Sequence, residues 1–153
     1  MKVYLASSFA YKDKTVSEER KAKIVEAKEI LKSKGLDVYV PYEHQIPNAW
    51  DYPNNEWALM VFTNDMMAIK DCDVVVLLSY GKEKNNAGVS WECGFAYGSG
   101  KKVVIVRMSD EVESLMMWHG SYAQVQGLRG MSGLNSYDFN KMPIHRIEAV
   151  EQS

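Results

Sequence analysis

A chain of 153 residues has the length of one domain, and its make-up, 46% hydrophobic and 25% charged, excludes a wholly disordered polymer. The formal net charge of -2 leaves no positive excess to hold a phosphate backbone, so no nucleic-acid partner is expected. Apolar runs such as Val74 to Leu78 fall far short of the ~20 residues a membrane helix needs, so no membrane partner is expected either.

The N-terminus carries one charge, at Lys2, and turns polar by Tyr11-Lys12-Asp13-Lys14. This reads as a buried strand over residues 3–6, closed by Ser7-Ser8, and not as a signal peptide. Ser17-Glu18-Glu19 then opens a helix with an N-cap and an acidic first turn. Ile24, Ala27, Ile30 and Leu31 recur on it at helical spacing, and Gly35 supplies the C-cap. A second strand over residues 37–40 stops at Pro41. The segment from Pro47 to Asn55, rich in Pro, Asn and aromatics, is too short for a linker and reads as a structured loop. A second helix runs from near Asn55 to Lys70. Val74-Val75-Val76-Leu77-Leu78 is an unbroken apolar run, as expected of a parallel strand covered on both faces. A third helix is expected from Val89 to Ser99, a further buried strand at Val103 to Val106, a short helix near Ser114 to Met117, a short strand near Tyr122 to Val125, and one more short element after Ser136.

This order predicts one α/β domain over residues 1–153: a doubly wound (flavodoxin/Rossmann-like), mostly parallel sheet with helices on both faces. In such sheets ligands bind beyond the carboxyl ends of the strands, where the strand order reverses. That geometry selects the loops after Ala6, Pro41, Leu78 and Val106. Ala6-Ser7-Ser8-Phe9 carries neither GxGxxG nor a Walker pattern, which disfavours a nucleotide cofactor at the usual place. His44, His119 and His145 have no metal-ligand spacing, so neither cofactor nor metal is expected. Cys72 and Cys93 form no CxxC pair and sit in apolar runs, which reads as reduced core thiols in a cytoplasmic protein.

The most informative segment is Asn85-Asn86-Ala87-Gly88-Val89-Ser90-Trp91-Glu92-Cys93-Gly94. The expected helix places Glu92 in its first turn, with Val89, Cys93 and Ala96 inward and Gly94 allowing close approach of another backbone. A glutamate there either just favours the helix dipole, by ~0.3–1 kcal/mol, or is a carboxylate held ionised and nucleophilic by helix amides. Asp65 lies on the second helix, and Asp71 and Asp73 lead into the buried strand. Tyr4 is a strand tyrosine whose hydroxyl needs a partner when buried, and a carboxylate would serve. Phe9, Tyr11, Tyr42, Trp50, Tyr52 and Trp57 fall mostly in loops at the same sheet edge, where flat rings suit a planar heterocycle.

Together these features resemble the nucleoside 2-deoxyribosyltransferases. The resemblance is carried by Val3-Tyr4-Leu5-Ala6, by Asn64-Asp65 with Ile69-Lys70-Asp71-Cys72-Asp73, and by Gly88-Val89-Ser90-Trp91-Glu92-Cys93-Gly94 ahead of Gly100-Lys101-Lys102. Leu115-Met116-Met117-Trp118 and Tyr137-Asp138-Phe139 extend it from Lys2 to about Pro143. The resemblance implies exchange of the base of a 2'-deoxyribonucleoside, without a cofactor. Glu92 matches the nucleophile that attacks the anomeric carbon. Asp65 matches the acid that moves a proton to or from the base, and Tyr4 the tyrosine that orients the nucleophile. The candidate substrate-binding set is Ser7, Phe9, Tyr11, Trp57, Asn86, Gly88, Ser114 and Met116. The resemblance also implies a homo-oligomer, dimer-based and up to a hexamer, with shared active sites; Ser114 occupies the place of a residue that reaches across to a neighbour's sugar. Two departures fall where the sugar would sit: Asn86 stands where relatives carry an aspartate, and Ser114 where many carry an asparagine. Asparagine hydrogen-bonds but is no base. A hydrolase of the same N-glycosidic bond and a non-catalytic nucleoside-binding module are the alternatives.

Overall fold

A strand without polar alternation is stable only when both of its faces are covered. In the computed structural model, which describes residues 1–8, 17–44 and 46–134, the Val74 run forms the centre of a five-stranded sheet. The elements in chain order are β1 (Lys2–Ser7), α1 (Glu18–Ser33), β2 (Asp37–Tyr39), α2 (Asn54–Asp71), β3 (Val74–Ser79), α3 (Ala87–Gly98), β4 (Lys102–Arg107), α4 (Leu115–Gly120), β5 (Ala123–Gln126) and α5 (Gly127–Met131). The strand order is β2-β1-β3-β4-β5, and every pairing is parallel. This is the doubly wound arrangement, with its switch point between β1 and β3. Phe9, Tyr11, Tyr137-Asp138-Phe139 and the element expected after Ser136 lie outside the described residues.

Strand alternation divides the core into two layers. Val3, Leu5, Val74, Val76, Leu78, Val104 and Val106 pack with Ile24, Ala27 and Leu31 of α1 and Met131 of α5. Tyr4, Ala6, Val75, Leu77, Val103 and Ile105 point the other way, toward Ile69 of α2, Val89, Cys93 and Ala96 of α3 and Met117 of α4. Each fully buried Val, Leu or Ile contributes about 1.5–3 kcal/mol by leaving water. Because Tyr4 is an even-numbered residue of β1, it faces the α2–α3 layer, which fixes where its hydroxyl can act. Cys72 and Cys93 are buried free thiols. No helix among the described residues is long and apolar enough to cross a membrane.

The caps explain the helix bounds. Ser17 Oγ accepts the Arg20 amide at 3.2 Å, as its N-cap reading required. Gly35 ends α1 with a φ of 80°, a conformation that costs glycine little. The third helix differs from expectation. Asn86 Oδ1 accepts the Val89 amide at 3.0 Å, so α3 begins at Ala87, two residues before the expected Val89. Glu92 therefore stands in the second turn. Gly94 was expected to admit a neighbouring backbone, but a Cβ there would meet nothing within 4 Å in its own chain. The short 3-10 turns Pro41–Glu43 and Ala49–Asp51, and α5 with its two glycines, carry no periodic signal and went unanticipated.

The loops after β3 and β4 touch at Gly81. Its φ is 96°, and a Cβ there would collide with the Glu111 Cβ. Lys82 N donates to Val112 O at 2.8 Å beside it. Gly81→Ala is expected to lower unfolding free energy by about 1–3 kcal/mol, measured by urea denaturation, from the unfavourable φ and the forced separation of the loops.

Candidate active site

At the carboxyl ends of β1, β2 and β3 the sheet opens into a cavity of about 970 Å³, roofed by α1, α2 and the start of α3. Such a volume lies at the upper end of small-molecule sites. Of the residues singled out in the sequence, Ser7, Tyr42, Trp57, Asn64, Asp65, Asn86, Gly88 and Glu92 border it. Tyr4 lies beneath, fully buried. Ser114 and Met116 do not border the cavity of their own chain: Ser114 is at the N-cap position of α4, and Met116 is 85% exposed.

Burial pushes the Glu92 carboxyl up to about 7, the Tyr4 hydroxyl opposes that rise, and Asp65 adds to it through like charge. Among the described residues neither the Tyr4 hydroxyl nor Glu92 Oε2 completes a hydrogen bond of ordinary geometry, so the two groups face each other with capacity to spare. Burial, followed by the Glu92 and Asp65 charges, pushes the Tyr4 phenol far above its usual range, so Tyr4 remains a neutral donor. Asp65 is half-buried on α2; burial raises it to about 6, while His44 opposes the rise. These values correct one expectation. Helix amides are not among the influences on Glu92: α3 starts early enough to place the residue in the second turn, and burial is the largest effect on its carboxyl.

Several residues of the site were not legible in the sequence. Tyr39 pairs with Tyr4 in the β1–β2 register, and their rings stack at 5.6 Å. His44 stacks on Tyr39 at 4.0 Å and borders the cavity, as does Lys21. The loop after β2 was selected by topology, but His44 had no motif to mark it. Arg20 is buried on α1; its Nη1 donates to Ser8 O and Lys84 O, both at 3.1 Å, and its guanidinium lies 4.1 Å over the Tyr80 ring. Ser8 Oγ in turn accepts the Asn86 amide at 2.8 Å. These bonds tie the end of β1 to the loop that launches α3.

The nucleoside 2-deoxyribosyltransferase family model matches residues 3–142. The chain belongs to that family. It is 29% identical over 109 residues to a nucleoside deoxyribosyltransferase of Lactobacillus johnsonii, covering 67% of this chain and 72% of that one. It also matches a solved 2-deoxyribosyltransferase of Bacillus psychrosaccharolyticus, with a TM-score of 0.74 and 28% identity over 94% of this chain and 97% of the other. A CMP N-glycosidase of Clostridium botulinum shares the fold at 17% identity, with a TM-score of 0.56 over 90% of this chain and all of that one. In this deoxyribosyltransferase-family protein, Asp65 and Glu92 border one cavity, and the buried Tyr4 lies against Glu92.

A raised carboxyl makes a signed stability statement. The Glu92 penalty is absent below the group's ordinary value of 4.5, grows as pH rises, and is full above about 7. Glu92→Gln is therefore expected to stabilise the fold at about pH 8, by up to roughly 3 kcal/mol, and to leave it unchanged at about pH 4. Thermal unfolding at the two pH values checks this.

Proposed function

We propose that this protein is a nucleoside deoxyribosyltransferase, exchanging the purine or pyrimidine base of a 2'-deoxyribonucleoside through a covalent deoxyribosyl ester on Glu92. The observation that carries this reading is a buried carboxyl, under-partnered and facing a tyrosine hydroxyl, on the wall of a cavity roomy enough for a nucleoside that a second carboxyl shares. Membership of the family supports it.

The chemistry follows from charge. Breaking the N-glycosidic bond leaves positive character on the sugar and an electron pair on the base. Asp65 gives its proton to the departing base nitrogen, and a Glu92 oxygen bonds to the anomeric carbon. The Tyr4 hydroxyl holds the other carboxyl oxygen and aims the attack. An incoming base then displaces Glu92 and returns a proton to Asp65. Two inversions give retention, and the covalent intermediate gives ping-pong kinetics. The absent 2-hydroxyl withdraws no electrons, so the sugar cation forms readily. No step calls for a cofactor.

The productive form has Glu92 charged and Asp65 protonated. In the free protein Glu92 holds its proton to about 7 and Asp65 to about 6, so the productive arrangement is the minor one of the singly protonated pair. A base seated against Asp65 buries it further and shifts the proton its way. The kcat/KM profile is expected to be bell-shaped, with its optimum between about 6 and about 7.

Ser7, Phe9, Tyr11, Trp57, Asn86 and Gly88 are assigned to the substrate. Asn86 spends one lone pair of its side-chain oxygen on the α3 cap, which leaves its amide nitrogen and the second lone pair for a sugar hydroxyl. We assign Ser114 and Met116 to a neighbouring subunit's site. Trp91, Leu115 and Met116 are 63%, 74% and 85% exposed, apolar surface that a second copy would cover. Light scattering on the eluting protein is expected to give a dimer or hexamer; a monomer at micromolar concentration rejects the shared site.

Glu92→Ala and Glu92→Gln are expected to abolish exchange between a deoxynucleoside and a free base, followed by chromatography, while leaving the circular dichroism intact. Unchanged exchange in Glu92→Ala rejects the assignment. Sugar release at one rate with and without acceptor base would make the protein a hydrolase, and binding without turnover a nucleoside-binding module.

A further inference from the structure

We propose that Glu113, a buried carboxylate outside the bond-breaking chemistry, is a positioning residue that fixes the start of α3 and through it the setting of Glu92. The proposal rests on Glu92 being the nucleophile.

Glu113 lies in the loop before α4 and is only 6% exposed. Among the described residues no lysine, arginine or histidine forms an ion pair with it. Burying a charge without a counter-charge is unfavourable unless hydrogen bonds compensate. Here the compensation comes from Ser79, the last residue of β3: both Glu113 oxygens lie 2.7 Å from Ser79 Oγ. A hydroxyl has one proton, and this one is shared between the two carboxylate oxygens. The lone pairs of Ser79 Oγ are left for other donors. Asn85 Nδ2 supplies one at 2.8 Å, and the Gly81 amide approaches at 3.4 Å. The Asn85 oxygen accepts the Tyr80 amide at 2.9 Å. The chain of donation runs one way, from the Asn85 amide to the Ser79 hydroxyl to the Glu113 carboxylate, so each bond polarises the next.

The destination of this chain gives it a role. Asn85 immediately precedes Asn86, which caps α3 through Val89 and donates its own amide to Ser8 Oγ. With Asn85 and Asn86 both held, the first turn of α3 has one register, and the face on which Glu92 stands is set. Further bonds join Glu113's loop to the same segment: Lys82 N to Val112 O at 2.8 Å, Ser109 Oγ to Tyr80 O at 3.2 Å, and Met108 N to Ser79 O at 2.8 Å. The loops after β3 and β4 thus form one body, with Glu113 at its buried centre. An apolar residue at 113 would fill the space but leave the Ser79 proton and the Asn85 amide without direction.

The test combines hydrogen exchange with single-turnover kinetics on the full chain. In Glu113→Ala the amides of Asn86 and Val89, held by Ser8 Oγ and by the Asn86 cap, are expected to exchange at least ~10-fold faster, with β3 and β4 unaffected. The single-turnover rate of deoxyribosyl transfer, measured per folded molecule, is expected to fall roughly 10- to 100-fold with KM within ~3-fold. Glu113→Gln, which keeps an acceptor for Ser79, is expected to restore most of the rate. Wild-type α3 protection in Glu113→Ala, or a wild-type rate per folded molecule, overturns the proposal. If the wild-type protein transfers no sugar, the reading of Glu92 fails, while the exchange data still decide whether Glu113 holds α3. If Glu113→Ala does not fold, Ser79→Ala and Asn85→Ala break the same chain and are read the same way.

Discussion

Glu92 stands on the second turn of α3 with one oxygen unpartnered among the described residues, opposite a tyrosine hydroxyl in the same condition, in surroundings that withhold water from both. A carboxylate so placed is costly to ionise, and the proton it keeps to about 7 measures that cost. The rest of the cavity end is arranged around this tension. Asp65 on α2 adds like charge, so the pair releases protons in turn, and Tyr4 offers the hydroxyl that favours the charged form. A group held dry and short of partners gains most when an electron-poor carbon arrives, which is the physical basis for reading it as a nucleophile.

The sheet makes this convergence unavoidable. Alternation along β1 sends Val3 and Leu5 toward α1 and sends Tyr4 and Ala6 toward α2 and α3. A slip of one residue would turn Tyr4 to the opposite face, away from both carboxyl groups. The order β2-β1-β3 then sets Tyr39 beside Tyr4, and the Tyr4–Tyr39–His44 stack runs from beneath Glu92 out to the cavity wall. Arg20, reaching Ser8 and Lys84 together, closes the β1 end against the loop that begins α3.

The parallel sheet was legible because Val74 to Leu78 and Val103 to Val106 carry no polar alternation, and a strand of that kind needs cover on both sides. Glu92, Asp65 and Tyr4 were legible as a motif. Their energetics were not. Asn86 reads in the sequence as a missing aspartate at the sugar, yet asparagine is also among the best N-caps, and that second property moved the helix start and placed Glu92 in the second turn. His44 and Tyr39 escaped because their roles depend on strand register and on a turn without periodicity. The partnership of Glu113 and Ser79 joins residues 34 positions apart, and no local pattern announces such a pair.

Intact-protein mass spectrometry after brief mixing with a 2'-deoxynucleoside and no acceptor base bears most directly on the nucleophile. A mass gain of one dehydrated deoxyribose, mapped to the peptide bearing Glu92 and absent from Glu92→Gln, is the expected result. Base release with no adduct on that peptide, or an adduct that survives in Glu92→Gln, would contradict the role given to this carboxyl.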